Sequence, residues 1–395
     1  MIFENQLLAT VILVLLLALV ISFLMSPVVK AFAYKVGAID VPKDARRIHK
    51  VPIPRLGGLA IFIGFLVSSL PFVWPLSRQM QGILLGAVII VVLGVVDDIT
   101  PLPAKLKFVV QIVAALIPTL NGVVIHVISN PNLFSQNAYW NMGKLSVPIT
   151  VLWIVAITNS VNLIDGLDGL ADGVSAISAT TVLVIALLVS ESQVAIVMAA
   201  LVGACVGFLP YNMNPAKMFM GDTGATFLGY ILATMSIQGL FKFYAIISFA
   251  VPFLILGLPI FDTAFAFIRR IAHGQSPMQA DRGHVHHRLI DMGLSQKQAV
   301  ATLYVISAIL GLSAVVLTTS GELKAMLFFV TLCIVAGVAA REVFPREMRN
   351  ELHEEMEELR EHGHHEEHDA AAPEKDASPA APEEKSGAAQ ENKEK

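Results

Sequence analysis

The run NSVNLIDGLDGLADG, Asn159–Gly173, sits between two apolar stretches at 148–160 and 173–190. Apolar chain approaches it and leaves it, and the polar stretch between is dense in Asp, Asn and Gly. That is the pattern of two membrane spans joined at a water interface. Further runs fit for crossing about 30 Å of hydrocarbon lie near 6–26, 56–75, 82–96, 106–127, 194–210, 225–240, 245–267, 299–317 and 325–341, about eleven with the first pair. The runs 82–96 and 148–160 are short, so their ends extend into neighbouring polar motifs. Backbone groups in lipid must be paired within the segment, so these spans are helices. The expected fold is an all-α polytopic membrane protein.

Composition excludes a soluble domain. Hydrophobic residues make up 55% and charged residues 15% of the chain, with mean hydropathy +0.69. A soluble protein of this length could not cover such a surface with polar groups. The formal charge of −4 misleads, because much of the acid lies beyond Arg341. Cys205 and Cys333 both fall in apolar runs and read as small core residues, with no disulfide or zinc site expected. The N-terminus lacks a basic leader region, so the first apolar run reads as a retained span.

Basic residues set the orientation. Lys30, Lys35, Lys43, Arg46, Arg47, Lys50 and Arg55 crowd the first connecting loop, and Arg269, Arg270, Arg282, Arg288 and Lys297 the loop after the ninth run. Loops of the opposite parity carry isolated residues: Arg78, Lys144, Lys242, Lys324. By the positive-inside rule the N-terminus lies outside and the C-terminus in the cytoplasm. The polar motifs then share the cytoplasmic face. The multi-span domain is expected over 1–341. Leu352, Met356 and Leu359 at helical spacing suggest a short amphipathic surface helix over 342–361, and 362–395 reads as a disordered charged tail. Its histidines read as part of a solvated tail, and the chain has no internal repeat.

Each polar motif has a bland reading and a chemical one. Asp97 and Asp98 close the third run. Carboxylates at a helix C-terminus oppose the macrodipole and repel each other unless a cation or proton intervenes. Asn162, Asp165, Asp168 and Asp172 are spaced so that, on a helix, they line one face, with Gly166, Gly169 and Gly173 leaving room for a ligand. Capping alone needs only one of those acids. Asp222, in Met220-Gly-Asp-Thr-Gly224, is an obvious N-cap, but Asn212, Asn214 and Lys217 lie just upstream, and a helix start of this kind also suits Mg²⁺ with phosphate. His284, His286 and His287 are flanked by Arg282 and Arg288, which favours an anionic substrate over a transition metal. In Pro52-Ile-Pro-Arg-Leu-Gly-Gly58, Arg55 is suited to a lipid phosphate at headgroup depth. Hard oxygen ligands, surrounding cations and a membrane-surface site point together to Mg²⁺-assisted phosphoryl transfer onto a lipid-borne nucleophile.

With these motifs the chain resembles the polyprenyl-phosphate N-acetylhexosamine-1-phosphate transferases, the superfamily of MraY, WecA and the eukaryotic dolichyl-phosphate enzyme. The resemblance covers about residues 1–340. It is nearest the TagO/WecA branch, through Pro52-Ile-Pro-Arg-Leu-Gly-Gly58 and Gly283-His-Val-His-His-Arg288; the MraY branch usually has a Thr-Met-Gly-Gly form at the first and a triple-His form at the second. The resemblance implies that Asp222 is a magnesium ligand, with Asn162 a second. It implies that Asp165 and Asp168 line the uridine and catalytic pocket and that Asp97 and Asp98 are the essential diacid, one of them orienting or deprotonating the lipid phosphate. Lys107, four before Gln111, matches the lysine near the phosphates. Asn159, Asn162, Asn212, Arg55, Arg282, His284, His286 and His287 are implied on the substrate side.

The implied reaction moves GlcNAc-1-phosphate from UDP-GlcNAc to undecaprenyl phosphate and releases UMP, with Mg²⁺ (or Mn²⁺ in its place) as cofactor. It would begin a cell-envelope glycopolymer such as a teichoic acid, in a bacterial plasma membrane. The bilayer is a partner, a homodimer is common in the superfamily, and no nucleic acid is expected. Two alternatives stand beside it: the MraY reaction on UDP-MurNAc-pentapeptide, and an ion-coupled transporter, whose acids should lie near mid-span rather than at span ends.

Overall fold

The computed structural model describes residues 2–42, 51–129, 139–239, 250–272 and 284–320, with 328 and 330. The expected surface helix over 342–361, the charged tail, most of the run 325–341 and Arg282 lie outside the described residues. Helices dominate: α1 Ile2–Val36, α2 Gly57–Val73, α3 Arg78–Ile99, α4 Ala104–Leu120, α5 Ser146–Leu163, α6 Leu170–Leu188, α7 Ser192–Asn212, α8 Gly221–Gly239, α9 Ala250–Ile255, α10 Gly257–Ala272, α11 Val285–Asp291 and α12 Gln296–Ser320. Among the described residues, six segments are long and apolar enough to cross a membrane: Asn5–Val36, Arg78–Ile99, Gly143–Leu163, Leu170–Leu188, Ser192–Asn212 and Gln296–Ser320. α2 is shorter and apolar. The protein is a polytopic, mostly helical membrane protein.

Two antiparallel ribbons are additions to the all-α expectation. β1 Ile39–Asp40 pairs with β2 Ile53–Pro54, and β3 Val127–Ser129 pairs with β4 Tyr139–Asn141. The run 245–267 is split rather than continuous, with α9 ending at Ile255 and α10 beginning at Gly257. Pro259 explains the break, because it has no N–H to offer the Ile255 carbonyl. The two short runs do extend as expected: α3 takes in Asp97 and Asp98, and α5 takes in Asn159 and Asn162.

α8 is the central helix. Nearly every residue from Thr223 to Ile237 is buried, and α2, α3, α5 and α6 pack around it. A helix buried on all sides must let its neighbours come close, and small residues do this. A Cβ at Gly229 would lie 2.7 Å from Cα of Thr158 on α5, and one at Gly94 of α3 would collide with Thr223. α1 packs on α7 by the same device, with Gly203 and Gly207 against the backbone of Leu15 and Leu19. These contacts bring the C-terminal end of α3, the α5–α6 turn and the start of α8 together.

Candidate active site

The site is built on the start of α8. The segment before α2 and the segment before α8 pair through their backbones: Phe219 N–H donates to Pro54 O (2.8 Å), Gly57 N–H to Phe219 O (2.9 Å) and Gly58 N–H to Met220 O (2.8 Å). A side chain at Gly58 would run into the backbone of Gly224. Gly221 turns at φ +72°, and a Cβ there would strike the Asp98 carboxylate and the Arg55 carbonyl. Asp98, buried at the end of α3, caps α8 from outside. It accepts the N–H of Asp222 at 3.0 Å, the N–H of Thr223 at 3.0 Å and the Thr223 hydroxyl at 2.6 Å. Negative charge at a helix N-terminus is favourable, so the acid that seemed misplaced on α3 is well placed for α8. Arg55 Nε donates to the Asp98 carbonyl at 3.1 Å.

Asp97 takes a different set of partners. Its carboxylate accepts the Leu102 N–H at 2.7 Å and Lys107 Nζ at 3.0 Å. The same Lys107 Nζ lies 2.9 Å from Oδ2 of Asp222. One cation thus ties α3, α4 and α8 at a single point.

The α5–α6 turn corrects the one-face reading of Asn162, Asp165, Asp168 and Asp172. The helix stops at Leu163 and restarts at Leu170, with Gly169 at φ +78°. Only a residue without Cβ takes that conformation readily, so the Asp-Gly repeat breaks the helix instead of lining it. Asp165 and Asp168 lie on the turn. Asp168 accepts from Asn214 Nδ2 (2.9 Å) and the Ala216 N–H (3.0 Å), and Asn214 also donates to Gln296 at 2.6 Å. The Asp165 N–H donates to the Asn162 carbonyl at 3.3 Å, but its carboxylate has no hydrogen bond to a described residue. Burial, then the negative charges of Asp222, Asp98 and Asp168, pushes its carboxyl up to about 7. Asn212 uses its amide internally, accepting from Gly169 N–H and donating to the Met218 carbonyl, both at 3.1 Å. Asp172 is fully buried on α6 beside Cys205 of α7. Asn159 donates to Gln111 at 2.7 Å.

The three histidines stay together, with the His286 ring between those of His284 and His287. His284 and His286 are buried. Nδ1 of His284 lies 2.8 Å from Asp262 Oδ2, and the other oxygen of Asp262 accepts the Val285 N–H at 2.7 Å. His286 stacks on His284 with ring centroids 5.8 Å apart, and its Nε2 presses on Gly166, where a Cβ would collide with it. Burial and the neighbouring His287 push its imidazole down to about 4, so it is neutral at physiological pH.

Two cavities meet here. One of about 560 Å³ is polar and is lined by Arg55, Asp98, Asp165, Asp168, Asn212 and Gln296 among others. The second, of about 910 Å³, is lined largely by apolar side chains, including Phe108, Ile112, Val151, Leu152 and Val155, with Lys107, Asn159, His284 and His286 at its polar end. Asn162, Gly166, Asp222 and His287 line both. Both volumes fall in the range of small-molecule sites, roughly 300–1,000 Å³. Among the described residues, no three His, Cys, Asp or Glu side chains cluster tightly enough to hold a metal alone. The oxygens of Asp222, Asp165 and Asn162 still fit Mg²⁺, which takes one or two carboxylates and completes its shell with water and substrate phosphate. The Asp165 carboxylate, which lines the polar cavity near the charges of Asp222, Asp98 and Asp168 and has no hydrogen-bond donor among the described residues, is a group that a cation would satisfy.

The sequence model of glycosyl transferase family 4 matches residues 80–240, from α3 to the end of α8. A probable undecaprenyl-phosphate N-acetylglucosaminyl 1-phosphate transferase of Bacillus subtilis is 42% identical over 318 residues, 80% of this chain and 87% of the relative. This chain belongs to glycosyl transferase family 4. A decaprenyl-phosphate N-acetylglucosaminephosphotransferase of Mycobacterium tuberculosis is 31% identical over 82% of this chain and 86% of its own length. A phospho-N-acetylmuramoyl-pentapeptide-transferase of Staphylococcus aureus is 31% identical over 75% and 96%. The superfamily resemblance read from the motifs is therefore borne out.

In this family 4 chain, some residues that shape the site escaped the sequence reading. Asp262 sits inside an apolar run, and a lone carboxylate there was itself the signal. Thr223, Gln296 and Tyr304 carry no comparable mark. The Tyr304 hydroxyl donates to the Gly169 carbonyl at 2.5 Å, pinning the turn from α12.

Proposed function

We propose that this chain transfers GlcNAc-1-phosphate from UDP-GlcNAc to undecaprenyl phosphate, giving undecaprenyl-pyrophosphoryl-GlcNAc and UMP. One observation carries the reading: a polar cavity and an apolar one share Asn162, Gly166, Asp222 and His287. A water-soluble nucleotide sugar and a polyprenyl chain need such different walls and a common reacting point. The substrates named for the Bacillus and Mycobacterium relatives support the same assignment.

The polar cavity takes UDP-GlcNAc from the cytoplasm, and the apolar cavity takes the lipid laterally. An oxygen of the lipid phosphate bonds to the phosphorus that bears the sugar, and the bond from that phosphorus to the UMP oxygen breaks. The nucleophile is already ionised at neutral pH, so position and charge neutralisation outweigh a general base. Lys107 supplies positive charge beside Asp222, with Asp97 holding it in place. Asp98 acts by fixing the start of α8. Asp222, Asn162 and Asp165 would hold Mg²⁺, which supplies charge neutralisation at the pyrophosphate. The membrane arrangement proposed with this is about eleven spans, the N-terminus outside, the C-terminus and the site at the cytoplasmic face, in a bacterial plasma membrane, with the product priming a teichoic acid or similar polymer.

Radiolabelled UDP-GlcNAc incubated with membranes holding the protein tests this. Label should pass to an undecaprenyl lipid with release of UMP, dependent on Mg²⁺. UMP release with UDP-MurNAc-pentapeptide and none with UDP-GlcNAc would replace the donor assignment.

A further inference from the structure

Asp262 lies within α10 with its side chain 3% exposed. A carboxylate in so apolar a helix is unfavourable unless both oxygens are satisfied, and here both are, by one short segment. Oδ1 accepts the Val285 N–H at 2.7 Å, and Oδ2 lies 2.8 Å from Nδ1 of His284. An ionised carboxylate only accepts, so the facing nitrogen must carry the proton. That fixes the ring: Nδ1 is protonated toward Asp262, and Nε2 belongs to the opposite edge. His284 lines the apolar cavity at its polar end, together with Lys107, Asp222 and His287. Among the described residues, Nε2 of its neighbour His286 is sealed without a hydrogen-bond partner, whereas His284 lines the apolar cavity.

We propose that Asp262 is a positioning residue for the transfer reaction. It sets the tautomer of His284, so that Nε2 keeps its lone pair and accepts the hydrogen bond of the still-protonated oxygen of a singly ionised lipid phosphate at the polar end of the lipid cavity. By holding the first residues of α11 it also keeps His287 where the two cavities join. The inference rests on the transferase reading above.

Asp262→Asn tests it, because the amide keeps the shape and changes the proton. Its Nδ2 donates where the carboxylate accepted, so Nδ1 of His284 must give up its proton and Nε2 must take one. In the full-length protein labelled with ¹⁵N-histidine, the His284 signals are those lost in His284→Gln. Wild type should show a protonated Nδ1, and Asp262→Asn an unprotonated one. Turnover in Asp262→Asn should fall by roughly 10- to 100-fold, as when the partner orienting a functional imidazole is lost, with the KM for UDP-GlcNAc within about threefold. A purely structural Asp262 predicts normal kcat and only a lower melting temperature. Unchanged nitrogen shifts, or kcat within twofold of wild type, would overturn the proposal. Failure of wild type to release UMP from any UDP-sugar would instead sink the transferase reading, and the nitrogen shifts would still decide the dyad.

Discussion

Oδ2 of Asp98 accepts both the backbone N–H of Thr223, at 3.0 Å, and its hydroxyl, at 2.6 Å. Asp98 is therefore part of the frame that carries Asp222, and its substitution should act on stability as well as on rate. In Asp98→Asn the amide turns a donor toward donors, which leaves groups unsatisfied at about 1–3 kcal/mol each. Turnover should fall at least 100-fold, and the melting temperature in detergent should fall with it. Thr223→Val removes only the hydroxyl and should lower stability by about 1.5–3 kcal/mol, the usual worth of a hydrogen bond to a charged group, while keeping most of the activity. An inactive Asp98→Asn that melts like wild type would make Asp98 a base and not a cap.

Lys107 stands 3.0 Å from Asp97 and 2.9 Å from Asp222. Lys107→Ala should lower kcat by about 100-fold or more, the scale for losing one preorganised electrostatic group at a reacting centre. Asp97→Asn keeps an acceptor for the Leu102 N–H but replaces the charged oxygen that steadies the lysine with an N–H₂ group facing it. A loss of roughly tenfold is expected from it. Initial rates of UMP release check both, and an Asp97→Asn as inactive as Lys107→Ala would give Asp97 a direct part in the chemistry.

Asp165 and His286 give opposite pH signatures in the metal-free protein. The folded-state pKa of Asp165 is raised from 3.8 to about 7, so between those values the folded chain binds more protons, and stability is lost as pH rises. His286 is lowered from 6.5 to about 4; over that window the unfolded chain binds more protons, and stability is gained as pH rises. Melting curves in EDTA should separate them. The gain of Asp165→Asn over wild type should grow from pH 4 to pH 7. The gain of His286→Leu should be largest near pH 4 and vanish above 6.5. A pH-independent difference for either variant would refute its assignment.

The sequence was most legible where polar residues end apolar runs. Asp97–Asp98 and Asn159–Asn162 told that α3 and α5 run on past their apolar parts, because a span must end in water. It was less legible where the outcome depends on a partner far along the chain. The periodicity of Asn162, Asp165, Asp168 and Asp172 looked helical, but Gly169 turns left-handed under Tyr304 from α12. The histidine run gave no sign that His284 and His286 turn inward, since that depends on Asp262 on another helix. Backbone pairing of Pro54 with Phe219 involves groups that every residue has, so no side-chain pattern announces it.

The apolar cavity makes the last prediction. Val155 on α5 lines it between Leu152 and Asn159, and it does not line the polar one. Val155→Trp adds a large ring to the wall of a lipid site without touching a charged group. The KM for undecaprenyl phosphate should rise at least tenfold, while the KM for UDP-GlcNAc stays within twofold. A short-chain polyprenyl phosphate, which needs less of the groove, should be affected less. Equal effects on both substrates would mean that the bulky side chain disturbs the α5–α6 turn and Asp165, and the second cavity would lose its claim to the lipid.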